Sequence, residues 1–201
     1  MRSSKLFWVV SLVLAIAGFT GGSLISHETS TEAGKAVWKE VYASPAEMAA
    51  RVDAIVLARV TGTRQGRVVW SENGEDALPF QIVELEVLQG IKGAAKAERI
   101  SLERVGGTAP DGRALDLSYD GGAFEPGATY LLFLKRQEDG PHFYQVNHQG
   151  RYLVAGDRLW AADPEDSVAK AFEGAPVARV VGELRRSSTR EWSEAANGAR
   201  R

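Results

Sequence analysis

From residue 53 onward the hydrophobic and polar positions alternate mainly with a period of two, and helical spacing appears only near the two ends of the chain. Ser44-Pro45 before AEMAARVD predicts a short helix: Ser44 can cap it, Pro45 suits its first turn, and Glu47 stands three residues after the cap. AIVLARVTGT, from Ala54, is β-branched and continuously apolar, which predicts a strand covered on both faces. Gly66 then separates it from a second strand, RVVW, that ends in the turn Asn73-Gly74. In PFQIVELEVLQGIKG, Val83, Leu85 and Val87 alternate with Ile82, Glu84 and Glu86. The period of two sends the valine-leucine side to the core and puts both glutamates on the opposite face.

ERISLERV (98–105) reads as a further strand with Ile100 and Leu102 on one face. Residues 106–127 form a long Gly-, Pro- and Asp-rich loop, with a short strand at Leu115–Leu117. ATYLLFLKR (128–136) follows the turn Glu125-Pro126-Gly127, and HFYQVN with GRYLVAGDRLW reads as a hairpin-like finish turning at Asn147 to Gly150. After Asp163-Pro164 the apolar positions Val168, Ala171 and Phe172, then Val177, Val180, Val181 and Leu184, take helical spacing. The pattern divides the chain into residues 27–43 as a spacer, 44–162 as one β domain, 163–186 as C-terminal helices and 187–201 as a polar tail. Five or more short strands with glycine turns predict a mainly β protein, a small antiparallel barrel of the oligonucleotide/oligosaccharide-binding (OB) type with a short N-terminal helix and C-terminal helices.

The first 26 residues change the picture of compartment. Arg2 and Lys5 precede the apolar run LFWVVSLVLAIAGF, the layout of an export signal, and Ala15-Ile16-Ala17 offers a cleavage site. Residues 6–25 are also long enough to stay as a membrane anchor with the body outside the cytoplasm, and the two readings are equally supported. With no cysteine, neither a lipid-modified cysteine nor a disulfide is available. The net charge is −2, and removing residues 1–26 takes away two bases and no acid. An acidic body speaks against a general nucleic-acid partner.

Three segments together resemble a family: DAIVLARV (53–60), FQIVELEVLQGIKG (80–93) and FEPGATYLLFL (124–134). They are similar to segments of uncharacterised exported bacterial proteins that look like netrin-like barrels, the fold of the tissue inhibitors of metalloproteinases. The resemblance covers residues 53–155 and implies that barrel. It does not imply protease inhibition, because those inhibitors reach the protease's metal with an N-terminal cysteine that this chain lacks.

Candidate chemistry is sparse. Glu84 and Glu86 could bind a cation or share a proton, yet the wet face of a strand accounts for them without chemistry. Of His27, His142 and His148, only the last two are close enough in sequence to suggest a metal pair, and neither has a cysteine to help it. Asp111, Asp116, Asp120 and Glu125 lie in the glycine-rich loop without a calcium-loop spacing. No serine sits in G-x-S-x-G, and no phosphate or dinucleotide fingerprint is present. Trp38, Trp70, Trp160 and Trp192 read as core or interface anchors, Trp70 being the most exposed candidate.

The pattern therefore predicts no catalytic, cofactor or metal site. It predicts instead a binding module for a protein or polymer outside the cytoplasm, through a loop surface of Thr108, Asp111, Arg113, Asp116, Asp120 and Trp70. On that reading, deleting residues 108–121 removes binding and spares the fold. The alternatives are a hydrolase whose site is assembled from the loop carboxylates and, less favoured, an oligonucleotide-binding barrel.

Overall fold

The computed structural model describes residues 41–112, 114–115, 122–138 and 140–198, with side chains as far as residue 187 and with residue 113 outside the description. Residues 6–25 lie outside it, and among the described residues no helix is long and apolar enough to cross a membrane.

Helix α1 (Pro45–Arg51) starts where Ser44 Oγ accepts the Glu47 N–H at 3.1 Å. Its last carbonyls are held from outside the helix: Lys92 Nζ donates to Ala49 O and Ala50 O, each at 2.9 Å. A cation at that end also complements the helix dipole.

Strand β1 (Ala54–Trp70) is one continuous strand of 17 residues, where the sequence suggested two. Gly66 does not break it. A Cβ there would stand 3.0 Å from Phe80 O, so the glycine permits close approach to the partner strand, and irregularities in register at Val60/Gly62 and Gln65/Val68 absorb the bend. β1 pairs along its whole length with β2 (Ala77–Lys92), and the far part of this hairpin forms an arm closed by the turn 71–76.

β3 (Arg99–Val105) follows, then a two-residue pairing of β4 (Gly107–Thr108) with β5 (Ala114–Leu115). β6 (Thr129–Arg136) returns beside the first half of β1. β7 (Phe143–Gln145) pairs with β6 and meets β3 in parallel through Leu102 and Phe143. The order β1-β2-β3-β7-β6 thus comes back to β1, a ring of five strands in a mainly β protein. β8 (Arg151–Ala155) and β9 (Arg158–Ala161) extend the sheet beyond β6.

The expected hairpin at Asn147 to Gly150 is not there. β7 and β8 both pair with β6, Gln145 opposite Leu134 and Arg151 opposite Leu132, so they form one strand interrupted by a 3-10 turn, His148–Gly150. The Asn147 side chain caps that turn by accepting the Gln149 N–H at 2.7 Å. Gly150 is pressed against Phe133 and Val146 too closely for a side chain. The hairpin lies later, between β8 and β9, where Gly156 takes a φ of 64°.

Two cores share the sheet. Inside the ring, Val56, Ala58, Val83, Leu85, Leu102, Leu132 and Leu134 pack together. Outside it, Ile55, Leu131, Phe133, Tyr152 and Leu159 pack under Met48 of α1, Phe172 of a second 3-10 turn (Ala169–Phe172), and Val180 and Leu184 of helix α2 (Val177–Gly198). This second layer is why β1 reads as apolar on both faces. α2 runs to Gly198, past the boundary at 186 that composition suggested.

One end of the ring is closed by two inward arginines. Arg104 and Arg151 each donate to Gly122 O at 2.7 Å, and Arg151 also to Ala123 O at 2.7 Å. Both guanidinium groups lie over the Phe124 ring, at 5.7 and 3.8 Å.

Candidate functional site

On the outer face of the ring, β3 alternates: Ile100 and Leu102 point inward, Ser101 and Glu103 outward. Two segments rise on either side of this face, the β1–β2 arm and the β6–β7 connection, described at 137–138 and 140–142. Between them lies an open cleft of ≈ 370 Å³, lined by residues 64–67, Ile82, Glu103, Gln137 and residues 140–142.

Glu103 forms the floor and is buried, its side chain 4% exposed. Its Oε2 accepts from Gln137 Nε2 at 2.6 Å and faces Arg67 Nη2 at 2.9 Å. Arg67 is positioned in turn by the Phe80 ring, 5.1 Å from its guanidinium carbon. Arg64 Nε contacts Glu84 Oε1 at 3.0 Å. At the opposite wall, Ser101 Oγ and His142 Nδ1 are 2.5 Å apart, which ties the connection to β3. On the arm, Gln65 Oε1 accepts the Thr108 N–H at 3.1 Å and its Nε2 donates to Thr108 O at 3.3 Å.

The glutamates of the opening strand are accounted for by these pairings. Glu84 meets Arg64, and Glu86 meets Arg59 at 2.6 Å. Both are half-exposed ion pairs across β1 and β2, so the strand reading fits them and a shared proton does not.

Of the predicted loop surface, Thr108, Asp111 and Trp70 are described. Thr108 is exposed but bound to Gln65, and Asp111 is exposed in a turn closed by the Gly112 N–H to Ala109 O. Ala109 between them is buried. A deletion beginning at 108 would remove this buried residue as well as exposed surface. Trp70 is 52% exposed at the end of the arm, outside the cleft lining. Arg113, Asp116, Asp120, Trp38 and His27 lie outside the described residues, and nothing is described of the Trp192 side chain.

The two candidate histidines go to different partners. His142 meets Ser101, while His148 Nε2 lies 3.7 Å from Asp163 and 3.6 Å from Asp166. Among the described residues no three His, Cys, Asp or Glu side chains converge as a metal site. Glu125 donates its backbone N–H to Tyr130 Oη at 3.3 Å, so its described bond is structural.

A serine–histidine contact invites a nucleophile reading, and the geometry does not complete it. Among the described residues no carboxylate orients His142, and Ser101 sits mid-strand in the ladder opposite Glu84 rather than on an exposed turn. The pair functions as a tie between β3 and the 137–142 connection.

The cleft residues were missed from sequence because each owes its place to a distant partner. Glu103 and Arg67 are 36 positions apart, and Glu103 and Gln137 are 34 apart. The signal available was the outward position of Glu103 and Ser101 in ERISLERV. Compared with protein-family models, curated proteins and solved structures, the chain matches none.

Proposed function

We propose that this protein is a non-enzymatic binding module of the OB barrel type, exported or membrane-anchored through residues 6–25, that holds a protein or polymer partner in the cleft over β3. The observation that carries this reading is the strand order β1-β2-β3-β7-β6 returning to β1, with the cleft lying between the β1–β2 arm and the β6–β7 connection. In OB barrels the ligand lies on the face of the second and third strands, between the loop joining the first two strands and the loop joining the last two. The resemblance of residues 53–155 to netrin-like barrels agrees with the same topology. The segments that carry the resemblance are occupied with structure. Asp53 Oδ2 accepts the Arg136 N–H at 2.8 Å, Lys92 caps α1, and the Gly127 N–H donates to Val60 O at 2.8 Å.

The test is a pair of substitutions on opposite cleft walls, Arg64→Ala with His142→Ala, in the full chain. The partner retained by wild type should be lost while the unfolding midpoint stays within the range of ordinary surface changes. Undiminished retention by the double variant would refute the cleft.

A further inference from the structure

Resting on the cleft reading above, we infer that the occupant is an uncharged, hydroxyl-rich glycan strand rather than a polyanion or an acidic peptide. The argument begins with charge. Both cleft arginines already face a carboxylate of the same chain, Arg64 with Glu84 at 3.0 Å and Arg67 with Glu103 at 2.9 Å. A phosphodiester or carboxylate ligand gains from arginine only by drawing it from its partner. For Arg64 the loss is small, because Glu84 is 40% exposed and water replaces the contact. For Arg67 it is large, because Glu103 would be left buried with the Gln137 amide as its described hydrogen-bond donor. A polyanion would also meet Glu103 and Glu84 themselves.

A sugar hydroxyl has no such conflict. It donates and accepts at once, so it can give its proton to a carboxylate oxygen while taking a bond from a guanidinium beside it. The cleft presents that mixture in a small space: the carboxylate of Glu103, the guanidinium groups of Arg64 and Arg67, the amide of Gln137, and the His142 imidazole that Ser101 holds in place. These are mostly planar groups whose positions are fixed by bonds to one another, which lowers the ordering cost of binding. The site is an open cleft rather than an enclosed cavity, a shape that admits a chain.

The experiment is hydrogen-exchange mass spectrometry on the full chain in lipid nanodiscs. The probes are neutral hexasaccharides with α-1,4, β-1,4 and β-1,3 linkages, an oligothymidylate, and poly-glutamate. The expected result is slowed exchange in segments 64–67, 80–84, 101–103 and 137–142 with at least one hexasaccharide and with neither anionic polymer. Arg64→Ala should weaken that saccharide by about tenfold, the loss of one good hydrogen bond, without shifting the unfolding midpoint, because its pair with Glu84 is exposed. Protection of the same segments by an anionic polymer alone overturns the glycan and leaves the cleft standing. Protection confined to other segments overturns both, and protection by no probe overturns the glycan.

Discussion

The Arg67 guanidinium lies 2.9 Å from the buried carboxylate of Glu103, joining the projecting arm to the floor of the cleft. Removing Arg67 alone leaves a buried charge, whereas removing both groups leaves none. Arg67→Ala should therefore cost about 2 kcal/mol, below the full figure for a buried pair because Arg67 is half-exposed. The double variant Arg67→Met with Glu103→Leu should lie within about 1 kcal/mol of wild type. Urea unfolding of the three proteins measures the difference, and a double variant less stable than the single one would show that the pair does more than neutralise Glu103.

Tyr152 is fully buried and its hydroxyl finds no hydrogen-bond partner among the described residues. Burial, with Asp166 and Glu173 adding to it, pushes the phenol far above its ordinary range, so it remains protonated. Its ring packs edge-on to Phe133 with centroids 6.3 Å apart, a contact that phenylalanine would keep. Tyr152→Phe is expected to leave stability unchanged or raise it by about 1 kcal/mol, read from the thermal midpoint.

Asp166 connects the helical layer to the sheet. Partial burial acts to raise its pKa, but the Ala169 N–H, the Gln149 amide and the Val168 N–H donate to it, and His148 lies nearby. These outweigh burial and hold the carboxyl below the usual carboxylate range. A pKa lower in the folded than in the unfolded chain gives stability that is complete above the unfolded value, about 3.9, and lost as pH falls through the folded one. Asp166→Asn should therefore be less stable than wild type near neutral pH, and the gap should narrow on acidification below about pH 4. Denaturant midpoints across that range test the sign.

Gly93 has a φ of 66°, and a Cβ there would stand 1.9 Å from Asp53 O. Gly127 has a φ of 84° with nothing within 4 Å of the added atom. Gly127→Ala should thus cost only the left-handed conformation, about 1 kcal/mol, and Gly93→Ala at least twice that. Equal losses in chemical denaturation would remove the steric argument for the glycine after Lys92.

Much of this architecture is legible in the chain, for reasons particular residues show. Val83, Leu85 and Val87 face the ring and Glu84 and Glu86 face out because a strand's period of two is local. The unbroken apolar texture of residues 54–58 reflects burial on both faces, by the ring's interior and by the helical layer. What was illegible depends on long-range closure. Arg104 and Glu103 are both charged, yet Arg104 turns inward onto Gly122 and Phe124, and Glu103 is covered by the arm. The alignment of β7 with β8 along β6 could not be read either, because Asn147 to Gly150 carries an ordinary turn signal that the fold uses as an interruption. The cleft belongs to this second class, so the sequence drew attention to the glycine-rich loop and to Trp70 instead.

The central claim is that the partner lies between the arm and the 137–142 connection. The most direct test is a photo-cross-linking amino acid placed singly at Arg64, at Gln137 and at exposed Trp160 in the full chain, with irradiation in the producing cells. The account predicts one shared adduct from positions 64 and 137 and none from 160. An adduct from 160 alone, or equal adducts from all three positions, would contradict it.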